Sequence, residues 1–209
     1  MRRPEFIARQ SRRPSGFLGW VIGYIMSFET AATNDEALAR LEVKKGDRVL
    51  DVGCGHGRTV ERAAEMVGDG LVVGVDASEE MLRMATRRCQ HLIDAGRVRV
   101  ALADSASIPY PDESFDKLVT VHTLYFWDDP RRHLRELHRV LRIGGRMVVG
   151  FHGKETAVAA SFPASVYTFY GVDEVCALLR DVGFEEVVGI ERSVGEVTLA
   201  IGHRRGVSL

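Results

Sequence analysis

The chain has 209 residues, 45% of them hydrophobic, and sets 28 Lys plus Arg against 29 Asp plus Glu for a net charge of -1. A chain of this length buries a full core without staples. Its charge balance excludes a strongly basic nucleic-acid binder or an acidic disordered tail as a description of the whole. Cys54, Cys89 and Cys176 form no Cys-x-x-Cys pair, so neither a disulfide framework nor a zinc ribbon is encoded, and a reducing, cytoplasmic location is expected.

Residues 1–16 carry Arg2, Arg3, Arg9, Arg12 and Arg13 against Glu5, a basic arm read as a solvated terminus, with contact to an anionic substrate or surface, a membrane periphery included, left open. Phe17 to Phe28 is apolar but falls short of the roughly 20 residues needed to span a bilayer as a helix. Arg12-Arg13 before it lacks the tight spacing and small-residue cleavage site of an export signal. The stretch is expected to form a helical lid, followed by a short helix from Asn34 to Leu41 capped by Thr33 or Asn34. Residues 1–42 are thus assigned to an arm and lid, and residues 43–209 to the main domain.

From Arg48 a βαβ rhythm begins. Strands are expected at Arg48–Val52, Leu71–Asp76, Val98–Ala103, Asp116–His122 and Arg146–Phe151. A helix follows Gly57 to about Met66. Another starts after Ser78, with Glu79 and Glu80 in its first turn. A third opens at Pro130, capped by Asp128 or Asp129 and ended by Gly144-Gly145. A fourth spans Val172 to Arg180, with Gly183 as its stop. Glu186–Ile190 and Val197–His203 read as a hairpin. The expected fold is α/β: a doubly wound, Rossmann-like seven-stranded sheet, mostly parallel with an antiparallel C-terminal hairpin strand and helices on both faces.

The loop between the first strand and helix reads Asp51-Val52-Gly53-Cys54-Gly55-His56-Gly57. Glycines there permit a tight turn and let a ligand touch the backbone at the carboxyl ends of the strands. Asp76 ends the second strand, where a carboxylate can accept two ribose hydroxyls, and Asp104 ends the third, placed to meet an adenine amino group. The loop is Gly-x-Gly-x-Gly rather than Gly-x-Gly-x-x-Gly, and no Gly-Lys-Ser/Thr follows. An adenosine ligand without a pyrophosphate fits this better than a dinucleotide.

The blocks VLDVGCGHG, VVGVDASEEMLRMA, ADSASIPYPDESFD and LRELHRVLRIGGRMVV occur in that order over residues 45–152, about half the chain. Together they resemble the class I S-adenosylmethionine-dependent methyltransferases of the small-molecule type, the methyltransferase type 11 and ubiquinone/menaquinone-biosynthesis-like group. The resemblance implies S-adenosyl-L-methionine as cofactor and S-adenosyl-L-homocysteine as product. It implies that Gly53, Cys54, Gly55 and Gly57 lie against the methionine part and Asp51 anchors the amino group. It also implies that Asp76 binds the ribose, Ala77 or Ser78 flanks it, Met81 covers the adenine, and Asp104 with the Ser105 backbone meets the adenine edge. Each has a plainer alternative: Asp51 bracing the loop, Met81 as helix core, Asp104 starting a turn.

His122 closes the fourth strand, and alternation places it with Leu118 and Thr120. It is a candidate general base, or a residue packed beside the cofactor. Tyr125 and Trp127 are candidate pocket walls or core; in the lid, Trp20 and Tyr24 are candidate contacts for an apolar or amphipathic acceptor. His56 is expected to point outward, and His152 to line the pocket. His133 and His138 lie among arginines on what reads as a solvated helix face rather than a nucleic-acid patch. No His/Asp/Glu group has metal-ligand spacing, and no Gly-x-Ser-x-Gly elbow occurs. The expected partner is a small-molecule acceptor. An NAD-dependent oxidoreductase and a non-catalytic adenosyl-binding protein are the alternatives. Nucleic-acid methylation is disfavoured because the fourth-strand region lacks an Asn/Asp-Pro-Pro-Tyr/Phe signature.

Overall fold

The computed structural model describes residues 31–191 and 198–206. The expected arm and lid, with Trp20 and Tyr24, lie outside the described residues. Helix α1 (Ala31–Leu41) comes first. Thr33 and Asn34 lie inside it rather than capping it, and Thr33 is buried. There follow β1 (Arg48–Val52), α2 (Arg58–Val67), β2 (Leu71–Asp76), α3 (Glu79–Asp94), β3 (Val98–Leu102) and β4 (Phe115–Val121). A single 3-10 turn, Leu124–Phe126, leads to α4 (Pro130–Val140), β5 (Leu141–Phe151), α5 (Ala157–Ser161), α6 (Val172–Asp181), β6 (Glu185–Ile190) and β7 (Thr198–His203).

The strands form one seven-stranded sheet in the order β3-β2-β1-β4-β5-β7-β6. Neighbours from β3 to β5 pair in parallel, while β7 pairs antiparallel with both β5 and β6. β7 is thus the inserted antiparallel strand. The order reverses between β1 and β4, so the loops after these two strands flank the crevice where doubly wound sheets hold ligands.

Strand alternation divides the core. Leu50, Val52, Leu118, Met147, Val149 and Phe151 face one side, where they meet α4 and α6 through Leu134, Leu137, Val175 and Leu179. Val49, Val119 and Val148 face the other, against Ala37, Leu38 and Leu41 of α1 and Val60, Ala63 and Ala64 of α2. Helix α1, grouped with the lid on sequence, therefore shares the core of the sheet.

Two helix starts follow local chemistry. Ser78 Oγ accepts the Met81 N–H at 3.3 Å, and Asp129 Oδ1 accepts the N–H groups of Arg131 and Arg132 ahead of a helix that opens on Pro130. The expectation for Gly144-Gly145 needs correction. The helix stops at Val140, and β5 runs from Leu141 through both glycines. Its register slips where Leu141 opposes Phe115 but Arg146 opposes Lys117. The glycine pair is a bulge: Gly144 N–H donates to the Arg204 carbonyl, and the Gly145 carbonyl accepts from Arg204 N–H.

Candidate functional site

Asp51 lies on the central strand, opposite Gly74 of β2 and Val119 of β4. It is 3% exposed, and its Oδ2 meets no hydrogen-bond donor among the described residues. Burial, with the Asp76 carboxylate adding to it, pushes its pKa up to about 8. A buried acceptor without a donor is costly, and rare outside sites that act on something.

Asp76 ends β2 and is tied to the glycine loop. Its Oδ2 accepts the Gly55 N–H at 2.9 Å and its Oδ1 the Ser78 N–H at 2.8 Å. Burial raises its pKa, and these backbone donors work against the rise. Ala77 N–H is a third backbone donor to this carboxylate, which leaves it capacity for one further donor.

The loop glycines differ in role. Gly53 has φ 74°, and a Cβ there would lie 2.1 Å from Thr123 Cγ2, so the loop after β1 and the loop after β4 touch through its missing side chain. Gly55, at φ 54°, faces open space. Gly57 caps α2 and lets it approach α3, since a Cβ would lie 2.9 Å from Ala85 Cα; its reason is packing. The Cys54 side chain turns inward, where a Cβ on Gly74 would meet its Sγ at 2.9 Å; Cys54 faces the crevice with backbone alone. His56 is half-buried rather than pointing outward, and burial, with Arg88 and Arg58 beside it, lowers its pKa to about 4.

Beyond Asp76, Ala77 is exposed, while Met81 is buried yet belongs to neither apolar cluster. Asp104 is exposed; its Oδ1 accepts the Ala106 N–H at 2.8 Å in a tight turn. The Ser105 hydroxyl lies 2.7 Å from His133 Nδ1.

Across the crevice, strand β4 ends at Val121, one residue short of the expectation. His122 takes a left-handed conformation, φ 59°, which breaks the alternation that placed it beside Thr120. Its Nδ1 lies 3.0 Å from Tyr125 Oη and its Nε2 3.3 Å from Thr33 Oγ1 of α1. Tyr125 Oη accepts the His152 N–H, so its own proton is free to donate to His122 Nδ1. With that donation, the neutral ring carries its hydrogen on Nε2, facing Thr33 Oγ1. The His152 ring lies 4.5 Å away, and burial together with that ring lowers the His122 pKa to about 3.

Tyr125 is buried, its ring packed on Phe169 at 4.7 Å and Tyr167 at 5.8 Å. Trp127, a candidate pocket wall or core residue, is turned inward at 6% exposure and stacked on His133 at 5.0 Å. His133, read as solvated, is itself 6% exposed. The helical pattern carried the signal: His133 immediately precedes Leu134 and shares the α4 face of Leu137 and Val140.

With this geometry in place, similarity to known proteins becomes informative. Residues 50–149 match the methyltransferase domain family. A demethylmenaquinone methyltransferase of Geobacillus kaustophilus (strain HTA426) is 28% identical over 199 residues, covering 82% of this chain and 85% of that protein. The 27-O-demethylrifamycin SV methyltransferase of Amycolatopsis mediterranei (strain S699) is 36% identical over 121 residues, 58% of this chain but 44% of that protein. A SAM-dependent methyltransferase from Aquifex aeolicus, known from its crystal structure, superposes with a TM-score of 0.68 at 28% identity, covering 81% of this chain and 88% of that one. Over residues 50–149 the chain is matched by the methyltransferase domain family, and its relatives and structural neighbours are S-adenosylmethionine-dependent methyltransferases of the class I fold. In this chain the matched region runs from β1 into β5 and contains both sides of the crevice. Among the described residues no helix is long and apolar enough to cross a membrane.

Proposed function

We propose that this methyltransferase moves a methyl group from S-adenosyl-L-methionine to an apolar or amphipathic small molecule, leaving S-adenosyl-L-homocysteine. The observation that carries the reading is Asp51: a buried carboxyl oxygen without a donor among the described residues, next to a second carboxylate. A cation with N–H groups is what this pair lacks, and the ammonium of the donor's methionine part supplies it. Gly55 leaves room at the backbone, and Asp76 keeps acceptor capacity for the ribose hydroxyls. Met81 and the Asp104–Ser105 turn are assigned to the adenine. The two relatives named for menaquinone and rifamycin chemistry support a small-molecule acceptor.

When bound, the cofactor supplies a methyl group already activated by positive sulfur. The protein's work is to hold the acceptor in line and exclude water. His122, with a pKa near 3, binds a proton too weakly to strip one efficiently near neutrality. We assign it to orienting the acceptor, and residues 17–28, with Trp20 and Tyr24, to a lid over it. Deleting residues 1–30 is expected to abolish turnover while cofactor binding stays measurable; unchanged turnover contradicts the lid.

Calorimetric titration with S-adenosylhomocysteine and with NAD tests the main reading. Binding of the thioether without NAD is expected. NAD alone reverses the assignment to an oxidoreductase, and thioether binding with no turnover on a broad acceptor panel points to an adenosyl-binding protein.

A further inference from the structure

Helix α4 holds the whole loop that follows β3. Glu136 Oε1 accepts the Ile108 N–H at 2.7 Å, and Arg139 donates to the carbonyls of Ile108 at 3.2 Å and Tyr110 at 3.0 Å. One turn earlier on the same face stands His133. Its Nε2 lies 3.3 Å from Asp128 Oδ1, an acceptor only, so Nε2 carries hydrogen in the neutral ring and Nδ1 accepts the Ser105 hydroxyl at 2.7 Å. Trp127 lies flat on the ring, with an interplanar angle of 4°, and removes its freedom to swing. Asp104 Oδ1 stands 3.8 Å from Nδ1, outside hydrogen-bond range, and is held instead by the Ala106 N–H.

We propose that His133 is a positioning residue for base recognition: by gripping the Ser105 hydroxyl it fixes the turn from which Asp104 reads the exocyclic amino group of adenine. The proposal rests on the adenosyl reading above and adds to it a residue that touches no part of the cofactor. Glu136 and Arg139 set where the loop lies; His133 sets the two residues at its start. Its effect reaches the ligand as discrimination between bases, since a loosened Asp104 accepts an amino group poorly and repels a carbonyl oxygen less.

The test compares S-adenosylhomocysteine with S-inosylhomocysteine, in which that amino group is a carbonyl, by calorimetry on the full chain. His133→Phe keeps the stack on Trp127 and removes both ring nitrogens. Ser105→Ala removes the same contact from the loop side and leaves α4 untouched, so it reads the contact even if His133→Phe fails to fold. His133→Asn returns an acceptor near the Nδ1 position. Ser105→Ala, and His133→Phe where it folds, are expected to weaken the adenosyl ligand about tenfold and the inosyl ligand by less than about twofold, so discrimination narrows. His133→Asn is expected to restore most of it. In the free protein, amide exchange at Ala106 and Ser107 is expected to quicken in the same two variants. Wild-type binding with unchanged discrimination in folded variants overturns this proposal alone, as does an equal loss for both ligands. A wild-type protein that binds neither thioether overturns the adenosyl reading and this proposal with it.

Discussion

The two sides of the crevice treat their polar groups in opposite ways. After β1 and β2, Asp51 Oδ2 is left without a donor among the described residues, and the Asp51 pKa is pushed up to about 8. After β4, His122 has a partner on each nitrogen and its pKa is pushed down to about 3. Burial acts on both, and in both it favours the neutral form. The unsatisfied side has a place for a donor that the described residues do not supply. The satisfied side is complete without a ligand and leaves its partner less defined. The donor half of a methyltransferase must fit one molecule, whereas the acceptor half varies with its substrate.

The sharpest way to break this comparison is where the two sides meet. Gly53→Ala drives a methyl group into Thr123 at a positive φ. We expect a loss of about 2–4 kcal/mol in thermal or chemical unfolding and no measurable cofactor binding. Adding Thr123→Ser, which removes only Cγ2, is expected to return part of the stability; no recovery means the loops do not rest on each other as described. Asp76→Ala comes next. It takes one acceptor from Gly55 and another from Ser78, as well as the proposed ribose contact. An affinity loss of about 100-fold for the thioether is expected by calorimetry, and a loss under about threefold contradicts the assignment.

The third prediction uses pH. The folded pKa of Asp51 lies far above its ordinary value of 3.8. The native state therefore holds that proton more tightly than the unfolded chain, and ligand-free stability falls as pH rises from about 4 to about 8. Its size is on the order of a few kcal/mol, and Asp51→Asn is expected to flatten that limb in melts across pH. His122 has the opposite sign. Its folded pKa lies below 6.5, so its contribution is present above that value and fades as pH falls toward 3; His122→Asn flattens the acid limb. Melts in which both variants track the wild type remove the contrast. The smallest effect is expected for Tyr125→Phe, which deletes the hydroxyl between His152 and His122. It should cost about 1–2 kcal/mol and leave thioether affinity within about threefold, showing the rim to be separable from the donor half.

The β1 and β2 side of the crevice was legible in the sequence because local rules write it. Apolar strands ending in Asp, a glycine run and the Ser78 cap need only neighbouring residues to act, and β1 and β2 fall where their periodicity placed them. The failures share a different cause. Gly144-Gly145 reads as a helix stop until Arg204, brought alongside by β7, gives both glycines hydrogen-bond partners. His122 follows strand alternation until its left-handed turn directs the ring to Thr33, 89 positions away in sequence. His133 reads as one polar residue among arginines until Ser105 and Trp127 close around it. No periodicity encodes those encounters.

Proton release on binding tests the central claim most directly. S-adenosylhomocysteine is titrated near pH 7 in buffers of different ionisation enthalpy, with wild type and Asp51→Asn. If Asp51 waits protonated for a cation, binding ionises it, and the wild type releases close to one proton, about 0.9 at a pKa near 8, while the variant releases almost none. Tight binding with no proton release from the wild type, or equal release from both proteins, contradicts the account.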